Sequence, residues 1–166
     1  MDLDKQLYIL ACFDPDTEQR LGDLEALLEN KGYHGQQTRG IPHHITLGTF
    51  PSPQEEDVQS LVARVSRKIA PFPVTFNHLG VFSGGRVLFA APDVTRQMLD
   101  LKECFNPYPN WAAHATLLID QPERISSAFA TAIQAFGAFE GRIESLCLYE
   151  FFPSRKILHL PLVGSL

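Results

Sequence analysis

Two periodicities take turns along this chain. Gln6 to Phe13 is an apolar run of strand length, and Asp16 to Lys31 then carries Leu21, Leu24 and Leu28 at helical spacing before stopping at Gly32. A polar, glycine-containing stretch from Tyr33 to Gly40 leads into Ile41 to Gly48, whose β-branched residues and alternation predict a strand. Ser52-Pro53-Gln54-Glu55 has the form of a capping box with proline at the first helical position. Val58, Leu61, Val62, Val65 and Ile69 line one face of the helix that follows, and Pro71 closes it. Phe72 to Phe82 and Arg86 to Ala91 read as two strands joined through Ser83-Gly84-Gly85.

The same programme then runs again. Asp93 to Phe105 is a helix bearing Val94, Met98, Leu101 and Phe105, and a loop rich in Pro and Asn, Asn106 to Asn110, precedes the strand Ala112 to Ile119. Asp120-Gln121-Pro122-Glu123 starts a second helix with Ile125, Phe129, Ile133 and Phe136 on one face, and Gly137 ends it. Phe139 to Phe152 and Lys156 to Pro161 are again two strands around a turn, Pro153-Ser154. A helix, strand, helix, hairpin unit therefore occurs twice, approximately over 41–91 and 93–161. We expect a single domain over residues 1–166, because no linker of flexible composition divides the repeats. The expected architecture is α+β and bilobal: two mostly antiparallel sheets flanked by helices around a central cleft with pseudo-twofold symmetry.

Composition narrows the partners. The formal charge is −5, from 14 basic and 19 acidic side chains, so the electrostatic footprint of a protein that tracks long nucleic acid is missing. The start, Met1 to Asp4, lacks a signal peptide's basic and apolar regions, and no apolar stretch is long enough to cross a bilayer. Cys12, Cys104 and Cys147 are odd in number, widely separated and set in apolar surroundings, which suits reduced thiols. A cytoplasmic location is the expectation, with no membrane and no obligate protein partner.

Inside the repeat lies a sharper one: His44-Ile45-Thr46-Leu47 in the first unit and His114-Ala115-Thr116-Leu117 in the second. One such motif arises by chance roughly 0.04 times in a chain of this composition. On a strand, residues two apart share a face, so each copy sets an imidazole beside a hydroxyl. Two histidines and two threonines around one volume can act on a phosphodiester. One imidazole takes a proton, the other gives one, and the hydroxyls hold the nonbridging oxygens. Neither histidine has a neighbouring carboxylate or cysteine set of zinc-ligand spacing, so no metal or cofactor is called for.

These paired motifs, the stretch Pro42-His43-His44-Ile45-Thr46-Leu47 followed by Ser52 to Val58, and the duplicated architecture resemble the 2H phosphoesterase superfamily over essentially the whole chain. The nearest group is the 2′-5′ RNA ligase-like, RNA 2′,3′-cyclic phosphodiesterase proteins. The resemblance implies a bilobal α+β fold and a metal-independent enzyme acting on 2′,3′-cyclic or 2′-5′-linked nucleotide or RNA phosphodiesters. The reverse 2′-5′ ligation is open to the same pair. It assigns His44, Thr46, His114 and Thr116 as catalytic, with no way to tell which histidine is the base. Many members carry an arginine after the second motif, where this chain has Leu118-Ile119-Asp120. Arg86 and Arg155, which correspond in the two repeats, are the candidate phosphate-binding cations, with Arg39 as another. Phe82 and Tyr149 also correspond and could flank a nucleobase. His43 is expected to face the opposite side of its strand from His44. Trp111 is a candidate border of the cleft. The alternative reading is a non-catalytic nucleotide- or RNA-binding module that keeps the fold.

Overall fold

The structure, a computed structural model, describes residues 5–106 and 110–165. The acidic start and the Pro107 to Pro109 part of the predicted loop lie outside the described residues. Strand β1 (Gln6–Phe13) is followed by helix α1 (Pro15–Asn30), strand β2 (His44–Pro51), helix α2 (Glu55–Lys68) and the hairpin β3 (Phe72–Val81) and β4 (Val87–Pro92). The series repeats as α3 (Arg96–Glu103), β5 (Ala115–Ile119), α4 (Pro122–Ala135) and the hairpin β6 (Phe139–Phe151) and β7 (Arg155–Pro161).

Among the described residues, all seven strands pair antiparallel, in the order β2-β1-β6-β3-β4-β5 with β7 also on β6. This order reads the same backwards when β1 is exchanged with β4, β2 with β5 and β3 with β6. The α+β class and the antiparallel pairing follow the sequence, but the two expected sheets are hydrogen-bonded into one. The reason is the length of β6, 13 residues. Its Ile143 pairs with Phe13 of β1 on one edge and with Phe72 of β3 on the other, and beyond it Ser145 to Glu150 exchange β3 for β7.

The ends of the order, β2 and β5, approach each other, so the sheet curls. Its helix-covered face carries the main core: Leu7, Ile9 and Ala11 of β1, Ile45 and Leu47 of β2, and Leu117 of β5 meet Leu21, Leu28, Val58, Val62 and Ile125 of the helices. Each of the leucine, isoleucine and valine side chains among them contributes roughly 1.5–3 kcal/mol by leaving water. The alternate residues of β1 and β6, Leu10, Cys12, Cys147, Tyr149 and Phe151, form a second, smaller cluster on the opposite face. β1 is thus covered on both faces, which accounts for its unbroken apolar run.

Helix starts depart from the expected caps. Ser52 does not cap α2; its hydroxyl donates to the Lys5 carbonyl (2.8 Å), and a 3-10 turn over Ser52–Gln54 comes before the helix begins at Glu55. Asp120 is engaged by Arg124 (3.1 Å) and by the Gln121 N–H (2.8 Å), so α4 starts one residue later, behind Gln121. No helix among the described residues is long and apolar enough to cross a membrane.

Candidate active site

β2 begins at His44, three residues after the predicted start, and the two residues before it offer no donor to a ladder. Pro42 lacks an N–H, and the N–H of His43 donates to both carboxylate oxygens of Glu18 (3.1 and 3.2 Å). Cys12 lies opposite His44 and Leu10 opposite Thr46, so His44 and Thr46 share the face opposite the main core, beside the smaller cluster. The second motif enters β5 in the same way, with His114 just before the strand and Thr116 opposite Phe89.

Both histidines are braced alike. His44 Nδ1 donates to the carbonyl of Pro42 (2.7 Å), and His114 Nδ1 donates to the carbonyl of Ala112 (2.8 Å), each two residues upstream. A carbonyl only accepts, so the proton sits on Nδ1 and Nε2 of each ring is left for chemistry. His44, Thr46 and Thr116 line a cavity of about 330 Å³. His114 stands close enough for its charge to act on His44.

The rest of the wall comes from the loop Gln37 to Pro42, from Glu25 and Ile119, and from the aromatic rings of Tyr8, Phe151 and Phe152. The loop is fastened to β5. Gln37 donates to the Leu117 carbonyl (3.2 Å) and accepts from the Ile119 N–H (3.1 Å), and the Gln36 N–H donates to the Ile119 carbonyl (2.6 Å). Across the seam, Trp111 Nε1 donates to the carbonyl of Thr46 (3.0 Å), tying the segment before one motif to the middle of the other.

The charges are less symmetric than the backbone. His43 does not simply point away. Its ring is held between two carboxylates of α1, Nδ1 on Glu18 (2.9 Å) and Nε2 on Glu25 (2.7 Å), and it lines the cavity. Burial alone would depress its pKa, yet the two carboxylate hydrogen bonds push it up to about 9. Glu18 is held below the usual carboxylate range, the His43 contacts outweighing the opposing effect of burial. The pKa of His44 is lowered by burial and by the positive charges of His43 and His114, against the Pro42 carbonyl bond and the negative Glu18.

The other residues singled out in the sequence are spread more widely. Phe82 is not on the cavity wall; it packs edge-on to the His114 ring at 4.7 Å and against Phe89 at 4.5 Å. Tyr149 is buried under Phe151, the rings stacked at 5.7 Å. Arg86 is exposed and donates to Gln121 (3.1 Å). Arg155 is bound to Glu55 (2.6 Å) and Glu150 (3.2 Å), and neither arginine lines the cavity. Arg39 does line it, with Glu29 at 3.6 Å. His43 and Glu25 were missed because their meeting depends on how α1 lies against β2. The sequence held only a faint sign, two acidic residues seven apart on α1. Phe151 was legible in principle, being two residues from Tyr149 on a strand.

Comparison with known proteins bears on this arrangement. No curated protein matches the chain. Among solved structures, TT0787 of Thermus thermophilus aligns with TM-score 0.67 at 17 % identity, covering 97 % of this chain and 100 % of its own. Escherichia coli LigT in apo form aligns with TM-score 0.67 at 14 % identity over 96 % of this chain and 98 % of its own. LigT complexed with 3′-AMP gives 0.62 at 15 % identity over 96 % and 99 %. At such identities these likenesses concern the fold. Residues 13–151, a span containing both His-x-Thr motifs, match the model of the 2′-5′ RNA ligase superfamily, and the chain belongs to that family, within the 2H phosphoesterases.

Proposed function

We propose that this chain is a metal-independent phosphodiesterase that opens 2′,3′-cyclic or 2′-5′-linked phosphodiesters of nucleotides or RNA ends in the cytoplasm. It acts as one domain, with each repeat supplying one His-x-Thr motif. The observation that carries the reading is the matched brace: two imidazoles are each fixed through Nδ1 to the carbonyl two residues upstream, and His44, Thr46 and Thr116 line one cavity. Family membership and the fold shared with LigT, one of whose structures holds 3′-AMP, support the substrate class.

In this reading one neutral imidazole takes a proton from water through Nε2 as the water oxygen attacks phosphorus. The other, protonated, gives its proton to the departing ribose oxygen as the P–O bond breaks. Thr46 and Thr116 donate to the nonbridging oxygens as negative charge builds there. With a ribose 5′-hydroxyl in place of water, the same transfers join it to the phosphorus of a 2′,3′-cyclic phosphate as the P–O3′ bond breaks and O3′ takes the proton, which leaves a 2′-5′ linkage. Tyr8, Phe151 and Phe152 offer apolar rings to a nucleobase.

Hydrolysis of a panel of 2′,3′-cyclic nucleotides with EDTA present tests this, wild type beside His44→Ala and His114→Ala. Turnover by the wild type alone is expected, and the position of the phosphate in the product identifies the bond opened. Binding of these nucleotides without turnover, extending to 2′-5′-linked oligonucleotides, would overturn the enzyme reading in favour of a binding module.

A further inference from the structure

Two of the three cysteines meet. Cys12 of β1 and Cys147 of β6 are both buried, and the Cys12 thiol donates to Cys147 Sγ at 3.3 Å, whereas Cys104 is exposed just past α3. They are not directly opposite each other. Cys12 pairs with Ser145 and Cys147 with Leu10, so the sulfurs touch along a diagonal of the β1–β6 ladder, on one face of the sheet. That face carries the first motif, for His44 lies opposite Cys12 on the other edge of β1. The sulfurs belong to the small cluster with Leu10, Tyr149 and Phe151, against which Tyr8 and Ile41 pack, and Phe151, Tyr8 and Ile41 also line the cavity. A dithiol is therefore packed behind the cavity wall, one strand away from His44. The second motif has no such neighbour, since β4, which stands to β5 as β1 stands to β2, carries no cysteine.

The two sulfurs are unequal. Cys147 accepts the Cys12 hydrogen bond, and this bond, with the Lys156 charge, holds its thiol below the ordinary range against the opposing effect of burial. Cys12, the donor, is held above the ordinary range by the same bond and by burial. One sulfur that ionises and one that keeps its proton are the two parts that peroxide-driven disulfide formation needs. We propose that Cys12 and Cys147 are a hydroperoxide-reactive dithiol, and that its closure to a disulfide switches off the site at His44. This rests on the phosphodiesterase reading only for the activity that is lost. The Cys147 thiolate attacks one peroxide oxygen, the O–O bond breaks, and the departing oxygen is protonated and leaves as water, which makes Cys147 a sulfenic acid. The Cys12 sulfur then attacks that sulfur, the S–O bond breaks, and the hydroxyl leaves with the Cys12 proton as a second water. Two electrons pass from the thiols to the peroxide. Covalent closure brings the sulfurs nearer than 3.3 Å and draws β1 toward β6, where the ladder slips register between Cys12 and Phe13. The backbone that moves is the one His44 pairs with, and a catalytic ring is sensitive to displacements below 1 Å, in the order of about tenfold in rate.

The test treats the full chain with hydrogen peroxide, alkylates the remaining thiols with iodoacetamide after denaturation, and reads intact and peptide masses while turnover of 2′,3′-cyclic AMP is followed in parallel. The proteins are the wild type, Cys104→Ser, Cys147→Ser and Cys12→Ala. In the wild type and in Cys104→Ser the chain is expected to lose about 2 Da, with the peptides of Cys12 and Cys147 joined. Turnover should fall by about tenfold or more over the same time course and return with dithiothreitol. Cys147→Ser and Cys12→Ala should keep their turnover through the treatment, and either one serves if the other does not fold. Full alkylation of Cys12 and Cys147 after treatment, addition of oxygens in place of the joined peptides, or joining through Cys104 would overturn the proposal. So would a wild type that carries the bond with unchanged turnover, or single variants inactivated as fast as the wild type. If the untreated wild type turned over no phosphodiester, the functional reading would fall. The joined peptides and a shift of the His44 ring signals in NMR spectra on oxidation would then support the switch, and unchanged ring signals would overturn it.

Discussion

His44 and His114 differ in what surrounds them far more than in how they are held. Each donates from Nδ1 to a carbonyl two residues back, at 2.7 and 2.8 Å. Yet the first is enclosed by a polar shell, with Glu18, His43 and Glu25 at its shoulder, and the second is flanked by the rings of Phe82 and Phe89. The contrast separates two kinds of determinant. Backbone geometry follows from the short motif and recurs with it, while the surroundings of each imidazole are set by residues outside the His-x-Thr motif.

The sharpest way to break the comparison is to remove each ring in turn. His44→Ala and His114→Ala are each expected to lower kcat by about 10³-fold, and the double variant should be no slower than the worse single one, because the pair acts as a unit. A double variant slower by the product of the two losses would show independent rings. Next comes stability against pH, measured by urea unfolding. The folded pKa of His43, about 9, lies above the ordinary 6.5. Its contribution is therefore fully present below pH 6.5 and is lost as pH rises through 9. The loss in the wild type relative to His43→Gln should be at most about 3 kcal/mol. Parallel curves for the two proteins would remove the polar shell from the comparison.

Smaller effects refine the symmetric part. Thr46→Val and Thr116→Val are each expected to cost about 10²-fold in kcat with KM little altered, since a hydroxyl that holds the developing charge acts mainly in the transition state. Unequal losses would show that the phosphate sits nearer one motif. Trp111→Phe deletes the hydrogen bond to the Thr46 carbonyl while keeping most of the ring, and about 1 kcal/mol of stability should be lost. A variant as stable as the wild type would mean that the seam is held by packing alone.

Much of this molecule was legible from local pattern. Val58, Val62 and Val65 at helical spacing are buried on α2 as expected, and the duplicated element order was visible before any contact was known. The meeting of Thr46 and Thr116 in one cavity follows from equivalent placement in two related units. What escaped depends on contacts between distant segments. β2 starts later than expected, where a glutamate on α1 takes the His43 N–H, and Ser52 gave up its cap for a carbonyl 47 residues earlier. Arg155 was attractive as a phosphate ligand for its charge, but Glu55, 100 residues away, holds it. Charged side chains choose partners by proximity after folding, and no periodicity announces that choice.

The strand order has a further consequence, for folding. β2 and β5 stand at opposite ends of the β2-β1-β6-β3-β4-β5 path, so their approach is the last geometric event that pairing along that path permits. It rests on the intervening ladders together with the ties that Trp111, Gln36 and Gln37 make across the seam. β5, with five residues, is the shortest strand in the series. Partial opening at that margin would separate the motifs while most of the ladder persists, so the working geometry has a lower local stability than the fold that carries it. In graded urea, turnover should disappear before the bulk of the amide protons lose their protection, and amides of β5 should be among the first to exchange.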